Sequence, residues 1–231
     1  MAERRLVAVI FTGGTIAMLP DPITGAAVPA LDGAAILARV PGLDRIAPLE
    51  AIDWGLVPAS HLRFSQILEI AGVIDRAAGR EDVGGVVVVQ GTDVLEETAF
   101  AWDLLYTGEA PVVVVGAMRN AGEPDYDGPR NLTDAVRVAT DPRLAGEGVV
   151  VVMAGAVLPA ADVTKTHSQS LDAFAALNAG PLGRVEAGAV VLERRRSARP
   201  TLHPMPQAAA EPVAGETLTV SWHSVVVLQA R

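Results

Sequence analysis

The sequence predicts an α/β fold in which a doubly wound, mostly parallel sheet forms a flavodoxin-like three-layer sandwich with helices on both faces. Two observations predict it. Short apolar runs recur along the chain, and helical patterns lie between them. The runs are rich in β-branched residues and lack polar alternation, which is typical of strands buried on both faces. Strands that alternate with helices form right-handed βαβ units, and such units build a parallel sheet.

Four apolar runs account for the predicted strands, and three stretches with apolar residues at spacings of three and four account for the helices. The strands are predicted at Leu6 to Phe11, Val86 to Val89, Val112 to Val115 and Val149 to Met153. The helices are predicted around Ile67 to Ile74, Leu95 to Leu105 and Leu132 to Ala139. Together these elements predict one domain over residues 1–185.

The composition changes after this domain. Residues 193–215 contain four arginines and four prolines without a helical or strand period. We therefore predict a linker over residues 186–216. Residues 217–231 alternate loosely between apolar and polar side chains, and we predict a short C-terminal strand there, the remnant of a second domain. A strand of this kind needs a partner, since it is not stable alone.

Charge and composition narrow the class of ligand. The net charge of −9 disfavours nucleic acid and an anionic membrane as partners, because both would be repelled. With no cysteine, the chain has neither a thiolate metal site nor a cysteine nucleophile, and its four histidines show no metal-ligand spacing. The dinucleotide and P-loop glycine patterns are also missing. We expect a small-molecule ligand, no metal, no cofactor and a cytoplasmic location.

The candidate site lies where the predicted strands end. Parallel sheets bind ligands beyond the carboxyl ends of their strands. Four stretches occupy such positions: Thr12 to Thr15, Gln90 to Asp93, Gly116 to Arg119, and the segment that leads from Met153 to Lys165. The first could be a turn that presents the Thr15 hydroxyl, a plain strand-ending turn, or a loop that binds phosphate.

Thr92 and Asp93 have two interpretations. Either residue is a good helix N-cap, and Glu96 follows Asp93 at the spacing of a capping box. A hydroxyl beside a carboxylate at a strand end can also hold an amino group and orient a water molecule. The remaining carboxylates at Asp53, Asp103 and Asp172 we interpret as ordinary solvated or capping groups.

Lys165 is the single lysine among 18 basic residues. Arginine does not release a proton near neutral pH, whereas a desolvated lysine can, so the chain keeps an amine where it has otherwise used guanidinium groups. Two threonines flank this lysine, and an amine near a hydroxyl can accept its proton or act by its charge. The alternative is an ordinary surface lysine.

With these motifs placed, the chain resembles the bacterial-type L-asparaginase family. The matching motifs follow the family's order from about residue 6 to residue 185. They are TGGTIA at Thr12 to Ala17, GTD with LEET at Gly91 to Thr98, VVVVGAMR at Val112 to Arg119, DGPRNL at Asp127 to Leu132, VTKTHS at Val163 to Ser168, LDAF at Leu171 to Phe174 and GPLG at Gly180 to Gly183. Several motifs in one order are far more specific than any one of them.

The resemblance implies an amidohydrolase of amino-acid metabolism that cleaves L-asparagine or a related small amide, without a cofactor, as a homodimer or homotetramer. It implies a catalytic set in which Thr15 is the nucleophile, supported by Thr92, Asp93 and Lys165, with Asp93 also holding the substrate's α-ammonium group. It implies substrate contacts at Ser60, His61, Gly91, Ala117 and Thr24.

This chain departs from the family pattern at three places near the site. Gln90 stands where the family usually has histidine, Val94 where it usually has threonine, and Ala154-Gly155 where it often has Asn-Asp. Family members also have a second α/β domain, of which only a remnant is expected here. Two alternative functions therefore stand beside the first: a binding or regulatory module without turnover, and a hydrolase of a different amide, lactam or imide.

Overall fold

The computed structural model describes residues 4–196 and 198–202 and has the predicted α/β architecture. Its strands are β1 (Leu6–Phe11), β2 (Met18–Pro20), β3 (Ala27–Pro29), β4 (Leu49–Asp53), β5 (Val83–Val89), β6 (Val112–Val115), β7 (Val149–Met153), β8 (Ala156–Pro159), β9 (Val163–Lys165), β10 (Phe174–Ala176), β11 (Gly183–Glu186) and β12 (Ala189–Leu192). Its α-helices are α1 (Gly33–Ala38), α2 (Phe64–Ala78), α3 (Leu95–Leu105) and α4 (Gly128–Ala139). The four predicted strands and three predicted helices are all present.

Eight of the strands form the central sheet, in the order β12-β11-β8-β7-β6-β5-β1-β4. The pairings from β4 to β7 are parallel, while β8, β11 and β12 extend the sheet by antiparallel pairing. The parallel strands, counted along the chain, lie in the order 2-1-3-4-5, which is the flavodoxin-like order. The sheet is therefore mostly parallel, as predicted.

Alternate residues of the buried strands face opposite layers of helices. Val87, Val89 and their in-register neighbours pack with α1 and α4, whereas Val86 and Val88 pack with α2 and α3. Each valine run is therefore apolar at every position because both of its faces are covered. This arrangement confirms the three-layer sandwich.

The predicted linker over residues 186–216 begins inside a β-hairpin. Strand β12 pairs with β11 over Gly183–Glu186, so residues 189–192 belong to the sheet. A hairpin with short strands and a two-residue turn carries too weak a periodic pattern to be seen in the sequence. The predicted strand over residues 217–231 lies outside the described residues.

The described residues after β12, 193–196 and 198–202, lie against the domain. Arg196 makes two hydrogen bonds of 2.9 Å to the carboxylate of Asp103, which is fully buried on α3. Arg195 bonds to Glu147, and the backbone N–H of Leu202 bonds to the carbonyl of Leu104. The interpretation of Asp103 as an ordinary solvated or capping carboxylate was therefore wrong. In the part of the chain that the structure describes, no helix has the length and apolar character needed to cross a membrane.

Candidate active site

The sheet topology brings two of the predicted loops together. The strand order reverses between β1 and β5, which are parallel neighbours. Doubly wound sheets bind ligands at this switch point, beyond the carboxyl ends of the strands. Thr15 follows β1 and Thr92 follows β5, so both threonines lie at that edge.

Glycines allow the loops to meet backbone against backbone. A methyl group at Gly14 would lie 2.2 Å from the amide nitrogen of Gly91, and one at Gly13 would lie 2.9 Å from the backbone of Val57. Gly14 also has a φ of 93°, a conformation that residues with a Cβ rarely adopt. The TGGT sequence is thus needed for close contact between the loops after β1, β4 and β5. A plain strand-ending turn would not require this contact.

Thr15 begins a 3-10 turn that ends at Ala17. Its side chain is half-buried, and its hydroxyl has no hydrogen-bond partner among the described residues. The carbonyl of the next residue, Ile16, accepts a hydrogen bond of 2.9 Å from the hydroxyl of Tyr126. The turn is therefore fixed at its backbone, while the Thr15 hydroxyl bonds to none of the described residues.

Lys165 bonds directly to Thr92. Its Nζ atom donates a hydrogen bond of 2.8 Å to the Thr92 hydroxyl oxygen and lies 3.9 Å from a carboxylate oxygen of Asp93. The Lys165 side chain is only 19% exposed, whereas that of Asp93 is 63% exposed. The surface-lysine interpretation is therefore wrong, and the structure brings Thr92, Asp93 and Lys165 together.

The same lysine is held by contacts on its other sides. The backbone N–H of Lys165 donates to the carboxylate of Glu96, and the ring centroid of Phe174 lies 6.0 Å from Nζ. The N-cap residue of helix α3 is Val94, and no side-chain cap hydrogen bond forms there. The capping interpretation of Thr92 and Asp93 is therefore wrong. Glu96 bonds to β9, and no capping box forms.

This arrangement suits nucleophilic chemistry on a carbonyl group. Because the Thr92 oxygen accepts a hydrogen bond from Lys165, the hydroxyl proton of Thr92 is directed to another acceptor. The positive charge of Lys165 lies beside the hydroxyl, where it would stabilise negative charge that develops on an oxygen nearby. Asp93, exposed next to it, presents a carboxylate that can bind a substrate ammonium group.

The loop after β6 is fixed by two polar side chains. The carboxylate of Asp127 accepts hydrogen bonds of 2.9 to 3.0 Å from the N–H groups of Met118 and Arg119. Asn131 donates to Asp127 at 2.9 Å and to the carbonyl of Gly116 at 3.1 Å. These bonds set the path of the backbone on both sides of Ala117, which is buried.

The other predicted substrate contacts, Ser60, His61 and Thr24, lie on two exposed turns. Ser60 and His61 form an exposed 3-10 turn after β4, and the preceding Ala59 packs against Gly91, which brings this turn beside the site. Thr24 lies at the exposed tip of the β2–β3 hairpin, where its hydroxyl donates to Asp21 at 2.9 Å. In this conformation Thr24 is engaged within the hairpin.

Two of the three departures from the family pattern form hydrogen bonds with neighbouring side chains. Gln90 is buried, and its side-chain amide donates a hydrogen bond of 2.8 Å to the hydroxyl of Thr98 on α3. Ala154 and Gly155 form the tight turn between β7 and β8, both with positive φ, and the N–H of Ala154 donates to the side-chain oxygen of Asn131 at 3.1 Å. Asn131 thus anchors this turn to the loop after β6.

The sequence did not predict the residues that follow Lys165 as part of the site. A cavity of about 300 Å³ is lined by Asp93, Lys165, Thr166, His167 and Ser168. The Nδ1 atom of His167 accepts hydrogen bonds from the N–H groups of Gln169 and Ser170, so in the neutral imidazole the proton is on Nε2. The position of His167, two residues after Lys165, was the available signal. Among the described residues no cluster of histidine and carboxylate side chains could hold a metal ion.

Comparisons with known proteins show the family. Residues 6–198 match the family model described as "Asparaginase, N-terminal". The chain belongs to the asparaginase family. It is similar to the probable L-asparaginase of Deinococcus radiodurans, with 40% identity over 202 residues that cover 86% of this chain and 59% of the relative. It is also similar to the probable periplasmic L-asparaginase of Haemophilus influenzae, with 36% identity over 85% of this chain and 56% of the relative.

A solved structure has the same fold. The crystal structure of a probable cytoplasmic L-asparaginase from Campylobacter jejuni matches with a TM-score of 0.77 and 32% identity, covering 84% of this chain and 58% of that chain. The chain therefore spans less than two thirds of the length of these asparaginase-family relatives. The match to the family model, over residues 6–198, contains β1 to β12 and the TGGT, GTD and TKT motifs.

Proposed function

We propose that this protein is an amidohydrolase that converts L-asparagine, or a related small amide, into the corresponding acid and ammonia. The observation that carries the proposal is the hydrogen bond from Lys165 to Thr92, at the switch point where Gly14 and Gly91 bring the Thr15 turn alongside. Membership of the asparaginase family supports the same reaction.

In the proposed mechanism the Thr15 oxygen bonds to the side-chain amide carbon of the substrate and gives up its proton, which ends on the amide nitrogen. The carbon–nitrogen bond of the resulting tetrahedral intermediate then breaks, and the nitrogen leaves with that proton as ammonia. This step leaves an ester on Thr15. Water then adds to the ester carbon, and the bond from this carbon to the Thr15 oxygen breaks. One proton of the water restores the Thr15 hydroxyl, and the acid product leaves.

The other residues of the proposed mechanism act by charge and position. We assign to Thr92 and Lys165 the polarisation of the attacking oxygen, first that of Thr15 and then that of water, because their hydrogen bond holds a hydroxyl beside a partly buried positive charge. Asp93 binds the α-ammonium group, and the turn with Ser60 and His61 binds the α-carboxylate. The backbone at Ala117 contacts the amide.

The direct test is an ammonia-release assay with asparagine, glutamine and other small amides, together with mass spectrometry of the ring-opened product for a lactam and an imide. We expect release from asparagine or a close analogue, and a loss of at least about 100-fold in Thr15→Ala and Lys165→Met. Thr133→Ala is the matched control, because its hydroxyl bonds to the carbonyl of Pro129 within α4. Release at the wild-type rate by both site variants would show the mechanism to be wrong.

Three readouts separate the alternatives. Thermal stabilisation by asparagine without any ammonia would favour a binding or regulatory module. Ring opening of the lactam or the imide, without ammonia release from any amide, would favour a hydrolase with a different substrate. We further propose a homodimer or homotetramer in the cytoplasm, supported by the family resemblance and by the cytoplasmic label of the Campylobacter structure. Light scattering on the purified chain and cell fractionation test these two points.

A further inference from the structure

Two consecutive residues after β6 hold two different parts of the candidate site. Asp127 binds the N–H groups of Met118 and Arg119, in the loop that follows Ala117. Its neighbour Tyr126 extends to the carbonyl of Ile16, a residue 110 positions away in the sequence. One dipeptide thus connects the loop predicted to contact the substrate amide with the turn that carries Thr15.

The contact with Ile16 complements the bonds within the turn. Inside the turn the carbonyl of Gly14 accepts from the N–H of Ala17, and the carbonyl of Thr15 accepts from the N–H of Met18. The carbonyl of Ile16 takes its hydrogen bond from outside the turn, at Tyr126, and Ile16 itself is fully buried. The hydroxyl of Tyr126 therefore ties the middle of the turn to the neighbouring loop.

The rest of the loop supports the same region. The N–H of Ala121 donates to the carbonyl of Met18 at 3.0 Å, and Gly122 packs against the ring of Pro20. The loop thus runs along β2, directly after the turn. Burial raises the pKa of Tyr126 to about 12, so its hydroxyl keeps the proton that it donates throughout the neutral range.

We propose that Tyr126 is a positioning residue for Thr15, which sets the distance between the nucleophile and the loop at Ala117. The inference rests on the proposed function. An attacking oxygen must lie within about 3 to 3.5 Å of the carbon and be aligned with it, and a displacement of about 1 Å can cost 100-fold in rate. A hydroxyl that fixes the turn from the neighbouring loop would act on this distance without touching substrate.

The test compares Tyr126→Phe with Tyr106→Phe, since these are the two tyrosines of the chain. The hydroxyl of Tyr106 also donates to a backbone carbonyl at 2.9 Å, that of Ala110, and burial also raises its pKa to about 12. Tyr106 lies after α3, at the amino-end side of the sheet. Each variant loses one similar hydrogen bond, so any effect on general stability should be similar.

We expect Tyr126→Phe to lower kcat for amide hydrolysis about 10- to 100-fold while KM changes less than about threefold. Tyr106→Phe should keep kcat within about twofold. Hydrogen exchange followed by mass spectrometry should show faster exchange at Gly14 to Met18 in Tyr126→Phe alone. Equal kcat and equal exchange in the two variants would overturn the positioning role.

Failure of the proposed function gives a different result. If the wild-type protein releases no ammonia from any amide in the screen, the proposed function fails. The hydrogen-exchange data alone then test whether Tyr126 holds the turn. Faster exchange at Gly14 to Met18 in Tyr126→Phe would still support its hold on the turn. Unchanged exchange there would overturn it.

Discussion

Gly14 and Gly91 lie in backbone contact, at a distance where a methyl group on Gly14 would be 2.2 Å from the nitrogen of Gly91. We predict that Gly14→Ala destabilises the fold by about 2 to 5 kcal/mol, from backbone strain and overpacking together, and removes activity. The free energy of unfolding in urea and the ammonia assay measure the two effects.

Gly42→Ala is the control for this prediction. Gly42 also has a positive φ, 89°, but a methyl group there would meet nothing within 4 Å beyond its chain neighbours. We expect a cost of about 1 to 2 kcal/mol from strain alone, with activity unchanged. If the two variants were equally stable and equally active, the contact between the loops after β1 and β5 would not be what requires Gly14.

The buried pair of Asp103 and Arg196 should contribute strongly to stability. Their side chains are 0% and 8% exposed, and removing one partner of a buried pair leaves an uncompensated charge. Asp103→Ala should therefore destabilise the protein by about 3 to 5 kcal/mol in urea unfolding. Arg184→Gln, in a pair whose side chains are about half exposed, should cost less than about 1 kcal/mol. Equal costs would mean that Arg196 does not hold the segment after β12 against the domain in solution.

Two alanines occupy turn positions that disfavour a Cβ. Ala154 and Ala187 have φ values of 49° and 47°, and each is followed by a glycine in a two-residue hairpin turn. Asn-Gly is the preferred pair for such turns. Ala154→Asn and Ala187→Asn should each stabilise the protein by about 0.5 to 1 kcal/mol, measured by thermal unfolding. A destabilised Ala154→Asn beside a stabilised Ala187→Asn would show that Ala154 is constrained by its contact with Asn131.

Stability should fall in alkali because of two buried phenols. Burial raises the pKa of Tyr106 and Tyr126 to about 12, from 10.0, so the folded chain holds these protons where the unfolded chain releases them. The contribution of these two phenols to the free energy of unfolding is therefore complete below pH 10 and is lost as the pH rises toward 12. Urea midpoints across this range should fall less steeply in either Tyr→Phe variant and least in the double variant. An equally steep fall in the double variant would contradict this assignment.

The sequence was sufficient to predict the central elements. A run such as Val86 to Val89 is buried on both faces, so its uniformly apolar composition alone predicts a strand covered on both sides. The hairpins formed by β8, β11 and β12 were not predicted, because four-residue strands give little periodicity. The ion pair of Asp103 with Arg196 was missed because it joins residues 93 positions apart, and no local pattern reports such a contact.

The candidate site was predicted from motifs and resemblance, and the structure resolves the ambiguity that the local pattern left. Asp93 and Glu96 have capping-box spacing whether or not a cap forms. The deciding contacts come from Lys165, whose side chain bonds to Thr92 and whose N–H bonds to Glu96 across some 70 positions. The catalytic roles of Thr15, Thr92, Asp93 and Lys165 stay predictions.

The central claim is that Thr15 carries the acyl group during amide hydrolysis. The most direct measurement is mass spectrometry of the protein quenched in acid during turnover of asparagine, with fragmentation to locate any added group. We predict an ester with the mass of one aspartyl group on the peptide that contains Thr15, and its loss in Thr15→Ala. Ammonia release with no ester on Thr15, or with the ester on another residue, would contradict the account.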